Sequence, residues 1–119
     1  MHERKIPIDL ECGINVFTLA LGGKWKFCII DCIHRGIQRP NEIHKSIAVA
    51  TPRVINMQLK ELLDHGIIDK KVYQGLPLKV EYKLTELGES LLPIIDAMGQ
   101  WGDEHRDTIL VEEAYVQQS

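Results

Sequence analysis

Cysteine is scarce in this chain, and its apolar runs are short. The 119 residues include only three cysteines, Cys12, Cys28 and Cys32, and an odd number does not suit a framework of structural disulfides. No apolar stretch approaches the ~20 residues that are needed to cross a bilayer. The charged N-terminus also lacks the apolar run of a secretory signal. We therefore expect a cytoplasmic protein without a membrane segment.

Signatures of catalysis and of metal binding are missing as well. The sequence contains no glycine-rich phosphate loop, no HExxH, no GxSxG and no paired carboxylates in a cleft-forming context. Cys28 and Cys32 are four residues apart, but no Cys or His pair with finger-like spacing follows them. Core packing explains this cysteine pair better than metal ligation. We expect a protein that is not an enzyme and that holds no metal or cofactor.

The charged side chains are unevenly distributed along the chain. The net charge is −3 at pH 7, and residues 1–34 contribute nothing to it. Residues 35–83 carry nine basic against five acidic side chains, whereas residues 84–119 carry one basic against eight acidic. A basic middle followed by an acidic end indicates a local anion-binding surface that the net charge hides. Random unevenness is the alternative interpretation.

Hydrophobic periodicity predicts the secondary structure. It indicates four helices, over residues 13–21, 24–34, 40–47 and 52–65. The predicted buried side of the second helix consists of Trp25, Cys28, Ile29, Cys32 and Ile33. Alternation with period two then predicts a hairpin over residues 67–84. A last helix is expected over residues 86–106, bent but not ended by Pro93, and residues 108–119 extend it or fray.

The order of these elements is that of a winged helix-turn-helix. Helix 40–47 would support the recognition helix at about 52–65, with the turn at 48–51 and the wing at about 67–84. Thr51 is a suitable N-cap for the recognition helix, and proline fits its first position. We therefore predict an α+β, mainly helical fold, organised as one domain over residues 1–119 with dimerisation helices at both ends.

The recognition helix predicts contact with double-stranded DNA. Its apolar residues share one edge, so the opposite face can enter the major groove and meet base edges and phosphates. The predicted DNA-binding residues are Thr51, Arg53, Asn56, Met57 and Lys60 on this helix, with Lys71 and Lys79 on the wing. The wing lysines are alternatively a solvated face. A winged helix that docks proteins without specific DNA binding is the alternative function.

The first and last helices carry more apolar surface than one small domain can cover. Exposed apolar patches of that size usually mark interfaces. We therefore expect a homodimer that is held together by the helices at about 13–21 and 86–106. The predicted interface residues are Leu19, Leu91, Ile95, Met98 and Trp101.

Several short motifs resemble those of a known family. They are Cys12, GGKW at 22–25, NEI at 41–43, QLKEL at 58–62, GII at 66–68, Tyr73, PLKVEY at 77–82, LT at 84–85, Gly88 and Trp101. In this order and spacing they resemble the HxlR-type winged helix-turn-helix transcriptional regulators, which are related to the MarR-type regulators. The resemblance implies a homodimer that binds a palindromic operator and represses or activates neighbouring genes, with repression the expected mode.

The resemblance also implies a role for Cys12, since several such regulators sense electrophiles or oxidants through an N-terminal cysteine. Cys12 precedes a helix, whose dipole favours the reactive thiolate. An inert, half-buried cysteine is the alternative. Two residues depart from the family pattern, because Gly13 replaces the usual proline and Pro40 replaces the usual aromatic residue. Cys28 and Cys32 are expected to react more slowly than Cys12, and the inducer stays unidentified.

Overall fold

The computed structural model describes residues 9–111. Its elements in chain order are α1 (Gly13–Leu21), α2 (Lys26–His34), α3 (Pro40–Ser46), α4 (Pro52–Asp64), β1 (Ile68–Tyr73), β2 (Lys79–Leu84), α5 (Glu86–Glu89) and α6 (Leu92–Glu104). Residues 106–111 are helical too. Within the described residues the sheet has two strands. The structure therefore confirms a mainly helical α+β fold with a winged helix-turn-helix.

The core lies around α2. Ile29, Ile30 and Ile33 on this helix are at most 2% exposed, and they face buried side chains from the helix-turn-helix and the wing. Those partners are Ile43, Ile47, Ile55, Leu59, Leu62, Ile67, Ile68 and Tyr82. Each such side chain contributes roughly 1.5–3 kcal/mol when it is fully buried. The supporting and recognition helices are thus anchored to one central helix.

The predicted buried side of α2 was wrong at Cys28. The helix begins at Lys26 rather than at residue 24, and Cys28 is exposed while Lys26 and Ile30 are buried. The core-facing stripe runs through residues 26, 29, 30 and 33, which share a face at helical spacing. Sequence reasoning chose the neighbouring stripe, which includes Cys28 and leaves out Lys26 and Ile30.

Helix α4 forms as the sequence predicts. The Thr51 hydroxyl oxygen accepts a hydrogen bond from the Val54 N–H at 3.2 Å, which caps the helix. Ile55, Leu59 and Leu62 are buried along one edge. The chain turns away after Asp64 through Gly66, whose φ of +72° lies in the left-handed region that favours glycine.

The wing is a regular antiparallel hairpin. Val72 pairs with Val80, and Ile68 pairs with Leu84 at its base. Thr85 fixes that base, because its hydroxyl donates to the Gly66 carbonyl at 2.6 Å and accepts from the Gly88 N–H at 3.1 Å. The Thr85 side chain therefore links the base of the wing to the first turn of α5.

The last helix is interrupted, contrary to the sequence prediction of one bent helix over residues 86–106. Helix α5 ends at Glu89 and α6 begins at Leu92. Pro93 lies in the first turn of α6, where a missing backbone N–H is tolerated. The proline thus starts a new helix instead of bending an existing one. Residues 112–119 lie outside the described part of the chain, so only 108–111 of the predicted extension are seen as helix.

Candidate nucleic-acid interface

The outer face of α4 is open. Arg53, Asn56, Met57 and Lys60 are all exposed, and Met57 keeps 54% of its surface accessible. The opposite edge of the helix is held by the core. The structure therefore brings these four predicted contact residues together on one accessible surface, which we call the reading face.

Thr51 caps the start of this helix and Lys60 lies one turn before its end, and both side chains are already engaged. The Thr51 oxygen accepts the capping hydrogen bond, so its hydroxyl proton is the group left for another partner. The Lys60 ammonium lies 3.0 Å from the Asp64 carboxylate, and both side chains are exposed. The negative partner offsets the charge of Lys60, so the basic character of α4 is concentrated at Arg53 in its first turn.

Asn56 is tied to the supporting helix. The His44 Nε2 lies 2.8 Å from the Asn56 Oδ1, and His44 itself is half-buried on α3. Sequence reasoning assigned Asn56 to DNA contact and did not predict its bond to His44. The available signal was their position on the two helices of one helix-turn-helix, which pack against each other.

The wing presents four exposed lysines, Lys70, Lys71, Lys79 and Lys83. The Lys71 ammonium lies over the Tyr73 ring, 5.0 Å from its centroid. Lys79 pairs with Tyr73 in the strand register, at the tip-side end of the ladder. Lys79 also lines a hollow of about 420 Å³ together with Arg39, an exposed residue that precedes α3. Arg39 is a further cation beside the wing that sequence reasoning did not assign.

The inner side of α4 is bonded to the loop that connects α1 to α2. The Gln58 Oε1 accepts from the Trp25 N–H at 2.9 Å. The Lys26 ammonium is 1% exposed and donates to the Ala20 carbonyl at 3.0 Å and to the Glu61 carboxylate at 2.9 Å. We call Trp25, Lys26, Gln58 and Glu61 the loop clamp.

The loop clamp gives a physical reason for two of the sequence motifs. In the GGKW run, Gly23 has φ +135°, and a Cβ there would lie 3.3 Å from the Gln58 carboxamide. Glycine thus allows both the backbone conformation and the close approach of Gln58. Sequence reasoning used these motifs only for the resemblance and did not predict that they touch.

The predicted dimer residues divide into two groups. Leu19, Met98 and Trp101 are 50%, 43% and 56% exposed, and Ile95 is half-buried. Leu91 is only 7% exposed, because it lies at the break between α5 and α6 and packs into the core of its own chain. Leu91 therefore offers little surface to a partner, and its place in the interface stays a prediction.

The three cysteines occupy different environments. Cys12 is half-buried at the N-cap of α1, where its side chain makes no capping hydrogen bond. Cys28 is exposed and Cys32 is buried, and both line an open cleft between α2 and α6. Burial raises the pKa of the Cys32 thiol above its ordinary value. Cys32 is therefore still expected to react slowly, because it is buried. The exposure of Cys28 removes the reason to expect a slow reaction there.

The part of the chain that the structure describes contains neither a membrane-spanning helix nor a cluster of metal ligands. None of the helices within residues 9–111 is both long enough and apolar enough to span a bilayer. Across the same residues, no group of three or more His, Cys, Asp and Glu side chains could hold a metal ion.

Known proteins resemble this chain over most of its length. The family described as HxlR-like helix-turn-helix matches residues 20–109. YdeP of Bacillus subtilis (strain 168), an uncharacterised HTH-type transcriptional regulator, is 37% identical over 115 residues, covering 92% of this chain and 90% of YdeP. YybR of the same organism, another such regulator, is 42% identical over 111 residues, covering 92% of this chain and 89% of YybR.

A solved structure agrees with these relatives. The redox regulator HypR in its reduced form superposes with a TM-score of 0.78 at 37% identity, covering 82% of this chain and 97% of that chain. The family match includes α2, the helix-turn-helix, the wing and α6. YdeP and YybR are HTH-type transcriptional regulators, and HypR is a redox regulator. The chain is a transcriptional regulator of the winged helix-turn-helix type, and it belongs to the HxlR-like helix-turn-helix family.

Proposed function

We propose that this protein represses transcription by binding a palindromic DNA operator as a homodimer. The observation that carries the proposal is the reading face of α4, which is exposed and carries three polar side chains beside Met57, while the opposite edge of the same helix is buried in the core. A helix held in this way enters the major groove without losing its support. Binding at an operator that overlaps a promoter would block transcription.

The charges around the reading face support DNA as the partner. Arg53 stands at the start of α4, and Arg39 and Lys79 lie together beside the wing. Cations in such positions contact phosphates on either side of a groove. A protein-docking winged helix, the alternative function, does not need cations on both the recognition helix and the wing.

The surface of α6 supports the homodimer. Met98 and Trp101 are exposed on this helix, and none of its residues is fully buried. A second copy that covers them by two-fold symmetry would place two α4 helices on one side of the dimer. Such a pair would read two inverted half-sites, with centres about 34–36 Å or a multiple of that distance apart.

Redox control through Cys12 is the regulatory part of the proposal. The similarity to HypR, a redox regulator, supports it, as does the position of Cys12 at the start of α1. The loop that follows α1 is bonded to α4 through the loop clamp. Modification of Cys12 would therefore move α1 and, through this loop, the spacing of the two reading faces. The inducer would be an oxidant or an electrophile.

A fluorescence anisotropy titration against the DNA upstream of its own gene tests the DNA proposal. We expect Arg53→Ala to weaken operator binding by about 1–3 kcal/mol and to relax sequence preference, since an arginine in the groove reads a base. Lys79→Ala should weaken binding to specific and to random DNA about equally. It should also reduce the slope of log affinity against log salt concentration by about one.

Arg35→Ala is the matched control for both variants. It also removes one exposed cation, but Arg35 pairs with Asp31 on α2 and lines the cleft toward α6. It should bind the operator like the parent. Equal affinities for the parent, Arg53→Ala and Lys79→Ala would mean that α4 and the wing do not form the DNA surface.

Exposure of the parent and of Cys12→Ser to diamide tests the redox part. We expect the parent to lose operator affinity and the serine variant to keep it. If the parent keeps its affinity after mass spectrometry shows that Cys12 is modified, then Cys12 is not the switch.

A further inference from the structure

One hydrogen bond restricts what the reading face can recognise. The Asn56 Oδ1 is 2.8 Å from the His44 Nε2. The carboxamide oxygen carries no proton, so the imidazole N–H is the donor and the oxygen is the acceptor. The other end of the carboxamide, the Nδ2 amino group, carries two protons and can only donate. The Asn56 Oδ1 is thus engaged as the acceptor for His44, while its Nδ2 amino group remains a donor for another partner.

The direction of the bond separates these two ends in space. His44 lies on α3, so the oxygen of Asn56 is turned toward the supporting helix. Asn56 is exposed on α4, so its amino group remains available on the reading face. Arg53 and Met57 flank it along the same helix and are exposed too. The polar group offered at this point of the helix is therefore a donor.

Base edges in the major groove distinguish a side chain that offers only a hydrogen-bond donor from one that offers a donor and an acceptor together. An asparagine that binds adenine in the usual bidentate way needs its oxygen and its amino group side by side on the base edge. An asparagine that offers only its amino group fits best a base whose acceptors have no donor beside them, namely O6 and N7 of guanine or O4 of thymine, because adenine places its N6 amino donor next to its N7 acceptor. The two modes select different base pairs.

We propose that His44 is a positioning residue that makes Asn56 a hydrogen-bond donor, so that one base pair in each half-site is read as guanine or thymine. This proposal rests on the proposed function, because it needs a specific DNA partner. His44 acts through Asn56 and makes no base contact of its own. Loss of His44 frees the carboxamide to rotate, so the preference at that one base pair relaxes.

The experiment is selection of bound duplexes from a randomised DNA library, followed by affinity measurements on the enriched sequences. Five proteins are compared, the parent, Asn56→Ala, Asn56→Asp, His44→Leu and His44→Gln. Asn56→Ala identifies the base pair that depends on this side chain. In the parent we expect guanine or thymine there. In His44→Leu that preference should fall about 3- to 10-fold, the range for one hydrogen bond, while the other positions stay unchanged.

His44→Gln and Asn56→Asp make the test specific. Glutamine keeps an N–H that can reach the Asn56 oxygen, so it should restore part of the preference. Aspartate keeps the acceptor for His44 but replaces the amino donor with a second acceptor. We expect Asn56→Asp to favour the inverted base pair, with cytosine or adenine in place of guanine or thymine, because these bases present amino donors. Asn56→Asp changes only an exposed side chain, so it remains informative if His44→Leu folds poorly.

The possible results separate the two proposals. If the parent enriches no motif, specific DNA binding fails and the role of His44 fails with it. If the parent enriches a motif but His44→Leu weakens binding to all sequences equally, then His44 contacts phosphate and the positioning role is overturned. A base preference at the Asn56-dependent position that is the same in the parent and in His44→Leu would overturn it as well.

Discussion

Helices α4 and α6 have the same length and different surroundings. Each spans 13 residues and carries an apolar stripe. Four residues of α4 are buried, Ile55, Gln58, Leu59 and Leu62, whereas α6 has no buried residue. The stripe on α4 is covered by α2 and the wing, but that on α6 is largely left open by the described part of the chain. An apolar stripe thus predicts a face that must be covered, and it does not say which chain covers it.

The largest effect is expected on the covered helix. Leu59→Ala in α4 removes a side chain that is 1% exposed, and the resulting cavity should lower the free energy of unfolding by about 2–5 kcal/mol. Urea denaturation measures this change. Leu59→Met, which nearly conserves volume, should lower it by less than about 1.5 kcal/mol. Similar losses for both variants would mean that this edge of α4 is not tightly packed.

The next effect concerns the open helix. Sedimentation of the parent at micromolar concentration should give about twice the 13.6 kDa chain mass. Trp101→Asp places a charge on the exposed face of α6, and it should weaken association by about 2–4 kcal/mol if this residue is central to the interface. Its circular dichroism should stay helical. A monomeric parent would contradict the proposed dimer. A dimer that is equally stable in the variant would mean that the interface does not include this face of α6.

A smaller effect is expected at the loop clamp, where α4 can be compared with α6 directly. Gln58→Met keeps the size of the side chain but leaves the Trp25 N–H without its acceptor. The free energy of unfolding should fall by about 1–3 kcal/mol. Gln100→Met on α6 is the matched control, because the exposed Gln100 side chain bonds, within residues 9–111, to the exposed Glu104 alone. Its change in the free energy of unfolding should stay within about 0.5 kcal/mol. Equal changes in the free energy of unfolding for Gln58→Met and Gln100→Met would mean that the loop clamp does not stabilise the fold.

The smallest effect is a difference in thiol reactivity across the cleft between α2 and α6. Iodoacetamide at neutral pH should label the exposed Cys28 before the buried Cys32. Since burial raises the pKa of Cys32, its labelling rate should keep rising with pH beyond about 8.5, the ordinary value for a thiol. Mass spectrometry of the peptides follows both sites. Faster labelling of Cys32 would contradict its burial.

Local sequence signals were sufficient for α4 and for the wing. Thr51 and Pro52 mark the start of the helix, Gly66 marks the turn after it, and the alternation after Gly66 gives the two strands. Each of these signals acts within a few residues, through a capping bond, a positive φ or the period of the pleat. Pro93 was a local signal too, but the sequence interpretation placed it at a bend within one helix, whereas it lies in the first turn of a new helix.

Contacts between elements that are distant in sequence could not be predicted in this way. Two overlapping stripes of α2 satisfy the same periodicity, and the one that includes Lys26 faces the core because Glu61 and the Ala20 carbonyl bind its ammonium. That choice exposes Cys28. The bond between His44 and Asn56 likewise depends on how α3 packs on α4.

The sequence by itself determined the order of the elements up to the break between α5 and α6, and the polar face of the recognition helix, because propensity, capping and periodicity are properties of neighbouring residues. The family was indicated by the resemblance of its motifs in order and spacing. The tertiary structure decided which polar groups are buried, which cysteine is accessible and which end of Asn56 faces outward. Those outcomes follow from partners that lie 12 to 35 residues away along the chain, as His44 does from Asn56 and Lys26 from Glu61. A buried donor or acceptor is stable only where such a partner completes its hydrogen bonds.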